Sequence, residues 1–202
     1  MGSFSSIAVI MTGLLLQTEG FRPTRIVVPT QDPSVVYITS ESGASCTGFI
    51  AKKDYVITAR HCLRPKMRVE FSDSEAKEAE PYKQGEIKGD ENGDDWLILK
   101  TETGNREPLA IDMSGKQPNF PVYTIYITYR DKRQAAAPIK LTSSDLDDAK
   151  KNQLHFEGAI RPGDSGSPII GEKEAVIGIV VATIPQMQLG FASPAANWPP
   201  LP

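Results

Sequence analysis

Arg161-Pro-Gly-Asp-Ser-Gly-Ser-Pro168 is the stretch from which the rest of the chain is read. Ser165 stands between Gly163 and Gly166, where a backbone free of side chains can turn sharply and aim successive N–H groups at one point. An oxyanion developing on an acyl carbon needs that arrangement. Taken alone, the stretch also fits an ordinary turn, because a serine hydroxyl is a weak nucleophile until a positioned imidazole takes its proton. The chain must therefore supply a base, and a group that orients the base.

It holds two histidines. His61 ends the apolar run Tyr55-Val-Ile-Thr-Ala-Arg-His-Cys62, where a strand gives way to a loop and a side chain can reach into a cleft. His155, in Gln153-Leu-His-Phe156, reads as a strand surface residue. The strand Asp95-Trp-Leu-Ile-Leu-Lys100 offers a carboxylate held by regular structure, with Asp94 as the competing acid. The two cysteines, Cys46 and Cys62, exclude a disulfide-dense scaffold and a four-cysteine zinc site; they form one bridge or stay reduced.

Around these segments lie 202 residues, 40% hydrophobic and 23% charged, enough for one large domain or two small ones. With 22 basic against 25 acidic residues the net charge is -3, so there is no basic field to attract nucleic acid or anionic lipid. Sixteen Gly and sixteen Pro favour short strands and turns over a helical bundle. Strand-like runs fall at Arg25-Val28, Val35-Thr39, Cys46-Ala51, Tyr55-Ala59, Met67-Phe71, Gly85-Lys88 and Asp95-Lys100. They resume at Val122-Thr128, Pro138-Thr142, Leu154-Glu157, Ser167-Ile170, Ala175-Ala182 and Leu189-Ala192. Ser72 to Asp95, with nine acids against three bases, reads as a solvated hairpin loop, and Ser144 to Lys151 as a short helix or an exposed loop. The ten-residue apolar run Ile7 to Leu16 is too short to span a bilayer and suits a signal-peptide core, although residues 1 to 6 lack Lys and Arg. No stable membrane insertion is expected.

Together these segments resemble the trypsin/chymotrypsin-like serine protease family, closest in texture to bacterial members of the HtrA and glutamyl-endopeptidase kinds. The family's Thr-Ala-x-His-Cys pattern appears as Thr58-Ala-Arg-His-Cys62, its Asp-x-x-Leu/Ile-Leu-Lys strand as Asp95 to Lys100, and its Gly-Asp-Ser-Gly motif as Gly163 to Gly166. The order His, Asp, Ser is the family's own. The resemblance implies an all-β fold of two antiparallel six-stranded Greek-key β-barrels with the active site between them. It divides the chain into a leader or pro-segment at 1-25, a first barrel at 26-112 and a second at 113-202. It assigns Ser165 as nucleophile, His61 as base and Asp95, rather than Asp94, as orienter, with the N–H groups of Gly163 and Ser165 as oxyanion hole. It pairs Cys46 with Cys62 in a disulfide. A monomeric, secreted or periplasmic endopeptidase acting on peptide or protein substrates is expected, with no cofactor and no metal.

The resemblance also locates the departures. Val181, Ala182 and Thr183 match the family's substrate-binding strand, and Gly190 its pocket-closing strand. Valine at position 181 cannot support the catalytic Asp through a hydroxyl, so the support comes from backbone N–H groups near Arg60 and His61 or is weaker. Ala159 stands at the pocket base where a trypsin carries an acid, so the P1 side chain is expected to be small or medium and uncharged. Val180 replaces the histidine with which glutamyl endopeptidases bind glutamate, and Arg161 is either a contact for acidic substrates or a solvated loop residue. In zymogen-type members the Asp before the serine, here Asp164, pairs with an α-amino group released by cleavage before Ile-Val. Arg25-Ile26 offers such a site, but Val28-Pro29 replaces the family's Gly-Gly, and the alternative is an enzyme active as synthesised. A catalytically silent binding module and a protease that cuts only its own precursor are the other readings.

Overall fold

Short apolar runs separated by turn formers become twelve strands in the computed structural model, which describes residues 32–86, 94–116, 120–144, 153–171 and 173–202. The first six are β1 (Val35–Thr39), β2 (Ser45–Lys52), β3 (Tyr55–Thr58), β4 (Met67–Glu70), β5 (Ala76–Gln84) and β6 (Leu97–Lys100). They close into an antiparallel barrel in the order β1-β2-β3-β6-β5-β4. The second six are β7 (Val122–Arg130), β8 (Arg133–Ser144), β9 (Leu154–Glu157), β10 (Pro168–Ile170), β11 (Val176–Ile184) and β12 (Leu189–Pro194). They close in the order β10-β11-β12-β9-β8-β7. In each barrel two three-stranded meanders join first strand to first and third to third, so one Greek-key plan is used twice although no repeat is visible in the sequence. No α-helix and no helix able to cross a membrane occurs among the described residues. The leader 1-25, the expected strand Arg25-Val28 with the Arg25-Ile26 bond, and the segment after Ser144 lie outside them.

The core is threefold because strands at the seam are buried on both faces. Val36, Ile38, Val56, Val69, Leu97 and Leu99 fill the first barrel, and Leu141, Leu154, Phe156, Ile169 and Val180 the second. The alternate residues Val35, Phe49, Ile57 and Ile98 face Ile125, Ile127, Ile179 and Val181 across the seam. Each such side chain contributes about 1.5–3 kcal/mol on burial, enough to hold the barrels as one body. The connection after β6 crosses between them: Leu109 N–H donates to Ile50 O (2.9 Å), and Asp112 N–H to Val176 O (2.9 Å). The Pro-rich tail adds Trp198, which is buried and packs against Phe49 with ring centroids 6.1 Å apart.

Three elements differ from the sequence reading. In the expected strand Gly85-Lys88, Gly85 and Glu86 are irregular and the last two residues lie outside the described residues. The acidic stretch after Ser72 is not all loop, because Ala76–Gln84 is a nine-residue strand paired with both β4 and β6. Only Ala79 of that strand is buried, so no apolar alternation marks it, and Pro81 sits at a register shift where a missing N–H is tolerated. Asp95 does not lie within a strand either; β6 begins at Leu97 and Asp95 is on the approach to it.

Candidate active site

Three chain turns meet at the seam. His61 is carried by a 3-10 turn at Arg60–Cys62 that follows β3, and the disulfide between Cys46 and Cys62 ties this turn back to β2. Leu63 N–H donates to Arg60 O (2.9 Å), and the Arg64 guanidinium donates to the carbonyls of His61 (2.8 Å) and Leu63 (2.7 Å), fixing the turn from its far side. Asp95 is buried, 3% exposed, and accepts the His61 backbone N–H on Oδ1 at 2.9 Å. Its Oδ2 lies 2.6 Å from His61 Nδ1, while His61 Nε2 lies 2.8 Å from Ser165 Oγ. With Nδ1–H donating to the carboxylate, Nε2 is left as the acceptor for the serine hydroxyl. The backbone support for Asp95 therefore comes from His61.

The Ser165 turn is pinned by both barrels. Thr47 N–H in β2 donates to Ser165 O (2.9 Å), and Gly166 N–H donates to Val180 O in β11 (2.8 Å). Gly166 has φ +84, and a side chain there would overlap Thr47 O and Thr58 Oγ1. Gly163 has φ +95, and its carbonyl accepts from Thr47 Oγ1 at 2.9 Å. The backbone N–H groups of Gly163 and Ser165 donate to no group among the described residues, so two donors flank the serine with their hydrogens unspent. Thr47 is a residue the motifs do not reveal: wholly buried, it holds the turn through both its N–H and its hydroxyl and also accepts the Tyr129 N–H (3.0 Å).

The remaining expected residues lie on the second-barrel side. Ser167 and Val180 still pair, with Val180 N–H donating to Ser167 O (3.0 Å). Past that point β10 has ended and the edge of β11 at Val181, Ala182 and Thr183 has no partner strand on that side among the described residues. Thr183 stands opposite Gly190 of β12. The space a Gly190 side chain would need is taken by the ring of Phe156, which is fully buried. Ala159 is exposed, and its carbonyl lies 2.8 Å from the Tyr126 hydroxyl. Arg161 is exposed. Ser165 and His61 also line a cleft of about 170 Å³ together with Thr39, Ser40, Ala44, the disulfide and Arg64 of the first barrel.

His155 is not simply a surface residue. It sits half-buried on β9 with Nδ1 3.1 Å from Ser143 Oγ, Nε2 3.1 Å from Gln153 Nε2, and its ring edge against Phe191. Neither it nor Asp94 joins the Ser165 group. Cys46, His61 and Cys62 bring potential metal-binding atoms within 4.8 Å of one another, but both sulfurs are spent in the disulfide.

Two closed six-stranded antiparallel barrels with this seam are the trypsin-like fold. The family model Trypsin matches residues 24–197, and the chain belongs to that family: it is a trypsin-like serine endopeptidase. Among solved structures it is similar to the Rv3671c protease in its inactive form, at 22% identity and TM-score 0.65 over 82% of this chain and 85% of that one. A serine-to-alanine mutant of the same protease from M. tuberculosis H37Rv gives 21% identity and TM-score 0.64, over 82% and 83%. The serine endoprotease from Yersinia pestis gives 20% identity and TM-score 0.66, over 83% of this chain and 60% of that one. At these identities the likeness speaks to the fold. No curated protein sequence matches the chain.

Proposed function

We propose that peptide hydrolysis by this endopeptidase runs through Ser165, His61 and Asp95 as a catalytic triad. The observation that carries the reading is the continuous line from buried Asp95 through His61 to Ser165, at 2.6 and 2.8 Å. Ser165 Oγ attacks the scissile carbonyl carbon as its proton passes to His61 Nε2, and the carbonyl oxygen becomes an oxyanion held by the N–H groups of Gly163 and Ser165. Collapse of the tetrahedral intermediate breaks the C–N bond, and His61 gives its proton to the leaving amine. Water then attacks the acyl-serine by the same route, regenerating Ser165 and releasing the carboxylic acid. Asp95 holds the imidazole in the tautomer that accepts at Nε2 and stabilises the cation formed in each step.

The acyl side of an extended substrate adds as a strand to the free edge at Val181 to Thr183. Its P1 side chain points toward Ala159 and Gly190, and the Phe156 ring beside Gly190 limits it to small or medium uncharged groups. The enzyme works as a monomer in a secreted or periplasmic setting, where the Cys46–Cys62 disulfide persists. A fluorophosphonate probe tests the triad directly. Stoichiometric labelling of Ser165 in the folded chain, absent in Ser165→Ala, is expected; an unlabelled Ser165 in folded protein rules the reading out.

A further inference from the structure

β7 presents Ile125, Ile127 and Tyr129 to the seam and, on its other face, Tyr126, Thr128 and Arg130. The side chains of Tyr126, Thr128 and Arg130 all end on one carboxylate. Thr128 Oγ1 donates to Asp164 Oδ1 at 2.8 Å and Arg130 Nη1 donates to the same oxygen at 3.0 Å. On Oδ2 the Arg161 backbone N–H arrives at 2.8 Å and the Tyr126 hydroxyl at 2.9 Å, a hydroxyl that also has Ala159 O in reach at 2.8 Å. Asp164 is fully buried, and each of its oxygens has two donors in reach.

We propose that Arg130, with Tyr126 and Thr128, is the positioning group that holds the Gly163-Ser165 turn in working shape in the uncut chain, so that Asp164 needs no α-amino group released before Ile26. The inference rests on the reading of Ser165 as nucleophile with Gly163 and Ser165 as oxyanion donors. Arg130 acts at two points. Its guanidinium is the only cation that meets the Asp164 carboxylate among the described residues. Its aliphatic stem lies beneath the oxyanion glycine, since a Cβ on Gly163 would stand 3.1 Å from Arg130 Cγ. Asp164 passes the constraint along the turn, donating its own N–H to Arg161 O (3.0 Å) and accepting from Ser167 N–H (3.0 Å). An incoming ammonium would meet a carboxylate already saturated and would have to displace the guanidinium.

The chemistry of the cation gives the distinction. An α-amino group loses its charge near pH 8, whereas a guanidinium stays charged above 12. The groups that face this pair are Tyr126 from β7, Arg161 from the turn itself, Asp131 with its carboxylate 3.8 Å from Arg130 Nε, and the non-titrating Thr47 from the first barrel. Burial and the neighbouring Asp164 charge push the Tyr126 phenol well above its ordinary range, so it stays neutral where an α-amino group would titrate.

The test uses the full chain. Arg25→Gln, with the bond to Ile26 shown intact by N-terminal sequencing, is expected to hydrolyse peptides at a rate within about twofold of wild type, with no loss as pH rises from about 8 to 10. Arg130→Met is expected to lower kcat by about 10²-fold with KM little changed, and to speed hydrogen exchange at the Asp164 and Ser167 amides by about tenfold or more. Arg130→Lys restores most of both. Thr128→Val, a milder change should Arg130→Met fail to fold, speeds the same two amides by a smaller factor. A strict need for the cut at Arg25-Ile26 overturns the proposal, and so does wild-type exchange in both Arg130→Met and Thr128→Val. Exchange reports on the turn without any need for turnover, so a chain in which Ser165 proved inert would sink the triad and leave Arg130 to be judged on those amides.

Discussion

Gly166 of the second barrel is wedged against Thr58 of the first, with no room between them for a methyl group. Thr58 Oγ1 donates to Thr47 O (2.7 Å), whose own N–H donates to Ser165 O (2.9 Å), so the close approach is one side of a lock that sets the serine against the histidine strand. Gly166→Ala must push the barrels apart and also adopt φ +84 with a side chain. The left-handed backbone alone costs about 1–2 kcal/mol and the overlap a further 1–3 kcal/mol. Urea unfolding should show a loss of about 2–5 kcal/mol, and fluorophosphonate labelling of what remains folded should slow by about 10²-fold, the cost of misplacing the nucleophile. Gly43→Ala is the control: its φ is +78 but nothing lies within 4 Å of the added methyl, so only the backbone cost should appear.

Much of this lock was legible in the sequence, and the part that was not has a physical reason. The glycines, the serine, His61 and Asp95 each sit in a local pattern, and strands whose faces alternate, such as Met67–Glu70, declare themselves. β5 was hidden because its neighbours on both sides satisfy its backbone while its side chains meet solvent and, at Lys77, the acids Glu75 and Glu102. The β7–β8 hairpin turns on Asp131 and Lys132, both with positive φ, where the expected signal is Asn-Gly. Thr47, Phe156 and Arg130 stand on separate strands, and no spacing in the chain links them to Ser165. Asp164 was legible as a residue that needs a partner, but its side-chain partners lie 34 to 38 positions away.

The disulfide closes sixteen positions around the histidine turn. A loop of that size limits the unfolded chain by about 3 kcal/mol. Reduction, or the double change Cys46→Ser with Cys62→Ser, should therefore lower Tm by roughly 6–12 °C in a chain of this size. Because Arg64 and Asp95 also hold the turn, the folded variant should keep measurable peptidase activity below the melting range. Calorimetry with and without reductant, followed by assay at low temperature, checks both parts.

Burial first, and then the Asp164 charge and hydrogen bond, raise the Tyr126 phenol above its ordinary value of 10.0. Burial and the Glu70 charge raise Tyr129 in the same direction. A folded-state pKa above the unfolded one means that the unfolded chain gives up these protons first. The stability they contribute is complete below pH about 10 and is lost as pH rises beyond it toward the folded-state value. Guanidinium unfolding at pH about 9 and about 11 should show that loss, with a smaller drop in Tyr126→Phe. An equal drop in the variant would place the titration elsewhere.

Phe156 can be trimmed without emptying the second barrel. Phe156→Leu leaves an apolar side chain in the core beside Leu141, Leu154 and Val180, at a cost of about 1–2 kcal/mol. It also withdraws ring atoms from the space beside Gly190. Each methylene accommodated in such a pocket is worth about 1–3 kcal/mol in discrimination. The ratio of kcat/KM for leucine over alanine at P1 should accordingly rise by about tenfold or more, while cleavage after alanine stays near wild type. A peptide library scanned at P1 reads this ratio; an unchanged ratio would mean that Phe156 does not bound the pocket.

Asp95 gives the sharpest separation between a triad and a chance alignment. Asp95→Asn keeps a side chain able to accept the His61 backbone N–H now bound at 2.9 Å, so the fold should survive. An amide can, however, present its NH₂ to His61 Nδ1, which makes Nδ1 the acceptor and leaves the proton on Nε2, facing Ser165. The histidine then cannot take the serine proton. A fall in kcat of about 10⁴-fold follows, with little change in KM, against about 10⁶-fold for Ser165→Ala or His61→Ala. Combining Asp95→Asn with Ser165→Ala should cost no more than Ser165→Ala alone if the three groups act as one unit. Additive losses, or a fall below about tenfold in Asp95→Asn, would show that the carboxylate at 2.6 Å braces the turn without tuning the base.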